Sequence, residues 1–397
     1  MLVQFMVKNV LSFHDEAILD MTAINAYKEH KCNLIDNGDK EKYLRVAAIY
    51  GANASGKSNL HLAMFYFQKI IMESLNNVDS ESMSAIEKYY VPFKFESDKK
   101  NSEFQVIEII GDYEYKYGFE YNDRCIVTEW LYRKNLVSKR TVIIFERTTD
   151  YIEFGASVRK ECDLYKDQVP EETLVLSFFN KLKMKTTLFN EVYSGIMDTF
   201  VLENDFFENP RLIEAFLPPI IDFEKEKLLA FLSAIDTGIK DIGYDDSEKK
   251  KRFFTVHKGK DNKDYPLNLF FESEGTIKSI MLFIYARTAI LKNKSIFVDK
   301  LNIKLHPLLL KFIIDLFYDS DSKAQLIYTT HDTTLMDKRY FRRDQIWFVQ
   351  KDDYGYSKLM ALSDFKVRSD ATFEKDYLAG VYGGIPYLKE FNLKEDK

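Results

Sequence analysis

The chain has 397 residues, 46% hydrophobic and 15% aromatic, enough for more than one well-formed core. A formal net charge of −6 excludes a generally adhesive nucleic-acid binder and leaves room only for a local basic groove. The cysteines (Cys32, Cys125, Cys162) are odd in number and lack metal spacing, which excludes a disulfide scaffold and a zinc site; they read as reduced thiols.

From the N-terminus, residues 2–7 and 16–22 alternate like strands about a turn at 13–16, without the shape of a signal peptide. The longest apolar runs, such as 280–285, fall far below the ~20 residues that span a bilayer, so a soluble, cytoplasmic chain with no membrane partner is expected. A strand at 46–50 then breaks into Gly51-Ala52-Asn53-Ala54-Ser55-Gly56-Lys57-Ser58, the full phosphate-loop spacing. Gly51 and Gly56 let the backbone turn tightly, so that successive N–H groups face phosphate oxygens. Lys57 is placed to reach the β- and γ-phosphates, and the Ser58 hydroxyl to ligate Mg²⁺. The helix that follows, with apolar Leu60, Ala63, Met64, Phe67, Ile70 and Ile71, is predicted over 57–75 and sets its positive end against the anion. A nucleoside triphosphate is the implied ligand.

Alternating segments at 103–110, 113–121, 126–133 and 141–147 predict an antiparallel region with hairpins at Gly111-Asp112 and Asn122-Asp123. Between about 170 and 245, Leu and Phe recur at three- and four-residue spacing (Leu174, Leu176, Phe178, Phe179, then Leu228, Leu229, Phe231, Leu232), which predicts a helical insertion with a packing role. The charged stretch 245–252, with Lys249, Lys250, Lys251 and Arg252, reads as a hairpin tip before a strand at 253–257. From 267 onward helix and strand alternate: helix 276–291, strand 295–298, helix 307–318, and strands 325–329 and 345–351. Parallel strands joined by helices imply an α/β lobe. The expected organisation is an N-terminal lobe at 1–165, a helical insertion at 166–247 and a C-terminal lobe at 248–397.

The C-terminal lobe supplies the rest of a nucleotide site. Ile296-Phe297-Val298-Asp299 is an apolar strand ending in a carboxylate, the Walker B shape, with Asp299 holding the Mg²⁺ shell. The strand at 325–329 leads to His331, a candidate γ-phosphate sensor. Glu272-Ser273-Glu274-Gly275-Thr276 opens a helix, and Ser273 with Gly275 at its N-terminus makes an anion site able to close over the nucleotide of a second chain.

Together these motifs resemble the bacterial ABC-type ATPases of the AAA15 group, relatives of the RecF, Rad50 and SMC heads and of the overcoming-lysogenization-defect ATPases. The resemblance covers nearly the full length. It rests on Asn9-Val10-Leu11-Ser12-Phe13, on Gly51 through Asn59, on Ser273-Glu274-Gly275-Thr276, on Leu305-His306-Pro307 and on Thr329-Thr330-His331-Asp332. Arg343 through Phe348 and Tyr382 through Pro386 complete it. It implies an α/β P-loop NTPase fold of ABC-head type with a mixed β lobe and a parallel α/β lobe. It also implies ATP bound by Gly51, Asn53, Ala54, Ser55, Gly56, Lys57, Ser58 and Asn59, a homodimer that sandwiches two nucleotides, and Mg²⁺ on Ser58 and Asp299. Many such ATPases serve phage defence or abortive infection beside a nuclease or toxin effector.

One position departs. Relatives end the Walker B strand in Asp-Glu, the Glu polarising the attacking water, whereas this chain has Asp299-Lys300. A lysine with an ordinary pKa near 10.4 is protonated at neutral pH and accepts no proton. Where relatives tend to place a small polar residue, Lys304 stands. The catalytic set is therefore Asp299, Lys300 and His331, with tight ATP binding and slow turnover expected. The alternative is a RecF- or Rad50-like DNA-maintenance head that binds DNA ends, disfavoured by acidity and by the absence of long heptad arms. A fused nuclease would need clustered carboxylates after His331, and Asp344, Asp352, Asp353, Asp364 and Asp370 are scattered.

Overall fold

A six-stranded sheet runs through the centre of the computed structural model, which describes residues 1–38, 40–75, 83–97, 100–247, 251–318, 321–367 and 371–386. Its order is Thr199–Leu202, Ser295–Val298, Gln325–Thr329, Val46–Tyr50, Ile346–Lys351 and Ser357–Ala361, all parallel except the last. Ser295–Val298, Gln325–Thr329 and Val46–Tyr50 are buried at every position, as parallel strands covered on both faces must be. The strand period of two divides their side chains between two cores. Ala47, Ile49, Phe297, Ile327 and Val349 face one, while Ala48, Tyr50, Val298, Tyr328 and Phe348 face the other.

The first core lies beneath a seven-stranded antiparallel sheet, ordered Ile152–Phe154, Thr141–Arg147, Ile126–Asn135, Tyr113–Tyr121, Ser102–Ile110, Leu2–Lys8 and Ala17–Asp20. Helix Lys57–Glu73 is sandwiched between the two sheets, and its buried stripe is the predicted one, Leu60, Ala63, Met64, Phe67, Ile70 and Ile71. Phe67 packs among Phe5, Phe104 and Phe119, with ring centroids 5.7–5.9 Å away. The second core is closed by helices Glu274–Lys292, Pro307–Tyr318 and Pro210–Ala234.

Buried polar groups tie the layers. The fully buried Gln325 amide donates to the Leu2 and Leu44 carbonyls, and its oxygen accepts from Leu2 N–H and the Ser295 hydroxyl. Every hydrogen-bonding position used is one that burial would otherwise penalise. Helix Val175–Lys181 has no side-chain cap of its own. Glu129 supplies one from the neighbouring sheet, accepting from Val175 N–H and Leu176 N–H, and Arg147 stands 3.9 Å away. Burial raises the Glu129 pKa, while Arg147 and these donors oppose the shift.

The segment 166–247 is not the helical insertion its spacing predicts. It does contain helices Val175–Lys181, Leu188–Met197 and Pro210–Ala234, but Thr199–Leu202 is a strand of the central sheet, paired in parallel with Ser295–Val298. Ile239–Asp245 then starts a three-stranded sheet with Arg252–Lys258 and Asp264–Asn268. A four-residue strand leaves too short a pattern to show period two among flanking helical repeats. Asp245 pairs with Arg252 at the ends of the first two strands of this three-stranded sheet. Lys249, Lys250 and Asp370 lie outside the described residues.

Candidate functional site

The loop after Val46–Tyr50 follows a path that only small residues allow. Ala54 and Gly56 have φ of 61° and 114°, in the left-handed region. A Cβ on Gly51 would stand 2.4 Å from the Val349 carbonyl oxygen, and one on Gly56 would stand 2.4 Å from the Ser357 hydroxyl. A hydroxyl clasp explains the second contact. Ser357 donates to the Ser55 carbonyl (2.6 Å) and lies 2.7 Å from the Ser12 hydroxyl, which also accepts from the Asn59 amide at 2.7 Å. Gly56→Ala is thus expected to strain the loop by about 1–3 kcal/mol and to weaken triphosphate uptake at least tenfold, read by denaturant unfolding and calorimetry.

Lys57 opens the helix and is almost wholly buried, its ammonium donating to the carbonyls of Gly51 (2.6 Å) and Ala52 (2.8 Å). Burial lowers its pKa to about 8, with nearby Asp299 opposing and Lys300 reinforcing the shift. One residue on, Ser58 donates to Asp299 at 2.9 Å across 241 positions of sequence. The other Asp299 oxygen accepts from the Thr329 hydroxyl at 2.5 Å, and Thr329 in turn accepts from Lys300 N–H at 2.7 Å. Adjacent parallel strands bring Asp299 and Thr329 together, and the P-loop strand beside them completes the set.

These groups border a cavity of about 430 Å³ lined by Asn53, Ala54, Ser55, Gly56, Lys57, Ser58, Asn59, Lys300, His331 and Lys351. Among its described lining residues no side chain is a carboxylate. Lysines and a helix N-terminus facing one concavity form a strong anion site. Burial, then the charges of Lys57 and Lys300, lower the His331 pKa, so its imidazole is neutral at pH 7 and acts as a hydrogen-bonding group. A serine hydroxyl beside a carboxylate is a hard-oxygen pair suited to Mg²⁺ with retained waters, so Ser58 and Asp299 fit the metal.

Ser273 and Gly275 do not line this cavity. Ser273 caps helix Glu274–Lys292, accepting from Thr276 N–H at 3.1 Å. Gly275 abuts the turn after Asp299, where a Cβ would meet the Lys304 carbonyl oxygen at 2.7 Å. Buried Lys278 donates to the Leu301 and Ile303 carbonyls of that turn, and Lys304 pairs with Glu208 and Glu274. Lys300 and Lys304 both sit at positive φ, 49° and 63°. Sequence reasoning placed Thr329 in the Thr329-Thr330-His331-Asp332 motif without a role of its own, and did not single out Lys351 or Ser357. A lysine at a strand end and a serine on an edge strand carry no motif, and folding alone brings them to the loop.

The later acidic residues serve structure. Asp344 makes a buried two-point pair with Arg342 (2.9 and 2.7 Å), and Asp352 and Asp364 accept from backbone N–H groups in turns. Among the described residues no group of three or more His, Cys, Asp or Glu is placed to hold a metal ion, and no helix is long and apolar enough to cross a membrane.

The family model described as "AAA domain, putative AbiEii toxin, Type IV TA system" matches residues 46–337. Among solved structures the chain is similar to an SmcHead bound to the C-winged helix domain of ScpA, at 13% identity and a TM-score of 0.46, covering 95% of this chain and 99% of that one. It is also similar to the SMC head domain from Thermotoga maritima, at 12% identity and a TM-score of 0.39, covering 91% and 98%. No curated protein matches it.

Proposed function

The chain belongs to the AAA-domain family whose description names the AbiEii toxin of type IV toxin–antitoxin systems, and from that premise we propose that it is an ATP-gated dimeric switch of a phage-defence system, acting through a partner effector. A P-loop ATPase is the coarse identity. The observation that supports ATP gating is the cationic cavity at the phosphate loop, with Ser58 and Asp299 joined beside it, while the defence role rests on the family description. Bound Mg²⁺ would draw charge from the β- and γ-phosphates. Lys57, Lys300 and Lys351 attract the triphosphate, Ser58 and Asp299 hold the metal, and neutral His331 offers a hydrogen bond where the γ-phosphate ends.

In this reading a second copy presents its Ser273 and Gly275 to the nucleotide, since both lie outside their own chain's cavity. Ser273 is exposed, and Phe271 just before it is 78% exposed, an apolar residue at the element expected to meet a partner. Lys300, at the position where relatives carry the water-polarising glutamate, leaves the cavity lining without a carboxylate base and favours a long-lived closed state. The test is solution mass with and without saturating ATP and Mg²⁺. Doubling of the mass is expected, and Ser273→Arg should abolish it while each chain still takes up nucleotide. A mass that stays at one chain when ATP is fully bound overturns the switch.

A further inference from the structure

A second concave site lies on the antiparallel lobe and shares no residue with the phosphate-loop cavity. The strand pairing sets Tyr113 opposite Asn135 and Tyr115 opposite Arg133. Directly opposed residues share a face, so rings, an amide and a guanidinium collect at one end of the sheet. With Ser138 and Arg140 of the next hairpin, they border a cavity of about 350 Å³ whose apolar wall includes Val142 and the half-exposed Ile143.

The Arg133 guanidinium lies over the Tyr113 ring, 4.6 Å from its centroid, close enough to Tyr115 to oppose the rise in that phenol's pKa that burial causes. Its Nε is buried without a hydrogen-bond partner among the described residues, a rare condition that calls for a cause. Among the described residues neither Arg133 nor Arg140 has a carboxylate partner. Their neighbours differ: Lys134 pairs with Glu114 at 3.2 Å, Arg159 with Glu153 at 3.4 Å and Arg147 with Glu129 at 3.9 Å. Two uncompensated guanidinium forks in one cavity match the charge and oxygen geometry of a dianion. The ring and the aliphatic wall match an organic body, and the volume sits at the lower end of small-molecule sites, about 300–1,000 Å³.

We infer that this cavity binds a small phosphate monoester carrying a flat or apolar group, held by Arg133 and Arg140. The ligand is a free small molecule, and its binding is independent of the nucleotide site.

The test is calorimetric titration of the full chain with phenyl phosphate, the phosphate loop first filled with Mg²⁺ and a non-hydrolysable ATP analogue. One saturable site per chain is expected, with a dissociation constant of about 1 mM or tighter. Inorganic phosphate should bind more weakly. Arg140→Gln, at an exposed position, and Arg133→Lys, which keeps the charge and loses the fork, should each weaken binding at least tenfold with unfolding unchanged. Lys57→Ala should leave phenyl phosphate binding intact, which separates this site from the nucleotide reading. Absence of saturation by about 10 mM, or variants that titrate like the parent, overturns the site. Succinate binding as tightly as phenyl phosphate overturns the phosphate assignment, and a 5′-phosphorylated tetranucleotide binding more than tenfold tighter overturns the free small-molecule source.

Discussion

Replacing Lys57 by alanine is expected to cut ATP uptake by about 10²–10⁴-fold, the equivalent of losing two charge-assisted hydrogen bonds of about 1.5–3 kcal/mol each. The ammonium is pre-placed among the Gly51 and Ala52 carbonyls at the mouth of the loop, and a triphosphate offers it better acceptors at little reorganisation. Lys57→Met keeps the aliphatic stem and should lose the same affinity, so that loss of charge is separated from loss of packing. The pH dependence follows from the lowered pKa of about 8. Below pH 8 the amine is charged and binding needs no added proton. Above it the free protein holds a neutral amine, and the phosphate charge pulls a proton back on. Nucleotide binding should therefore weaken as pH rises from 8 to 10 and be coupled there to proton uptake, visible as a buffer-dependent calorimetric heat. Uptake by Lys57→Ala equal to that of the parent would falsify the placement of the triphosphate.

Much of the nucleotide site was legible because its chemistry is local. The loop from Gly51 to Asn59 needs its glycines at fixed spacing, and the structure shows the contacts at Gly51 and Gly56 that forbid a side chain. The strands at 46–50, 113–121, 141–147, 295–298 and 325–329 coincide with the predicted ranges, since each is bounded by turn residues or charges. What escaped is set by distant pairing. Thr199–Leu202 is a strand because Ser295–Val298 offers it an edge, not because its own four residues alternate. Ser357 looks like an ordinary strand residue until folding aligns it with Ser55, and the contact of Thr329 with Asp299 is likewise set by pairing rather than by its motif. Lys304 stood out in sequence as an oddity. Its partners Glu208 and Glu274 lie on helices Asn204–Glu208 and Glu274–Lys292, a relation that no spacing could reveal.

Lys300→Glu is expected to accelerate ATP turnover by about 10²–10⁴-fold, the range a positioned general base contributes. The backbone there is already fixed: Lys300 N–H donates to Thr329 at 2.7 Å and φ is 49°, so the side chain changes without a new demand on the main chain. The residue lines the cavity beside Lys57 and His331, where a carboxylate would meet an attacking water. Affinity should move the other way, because removing a cation and adding an anion beside the γ-phosphate weakens ATP binding. Lys300→Gln separates the two effects. It removes the charge without supplying a base, so it should lose affinity and stay slow. Single-turnover hydrolysis at saturating ATP reads the chemical step apart from product release. Equal rates for the parent and Lys300→Glu sink the missing-base account. A Lys300→Gln variant as fast as Lys300→Glu assigns the slowness to the lysine's charge instead.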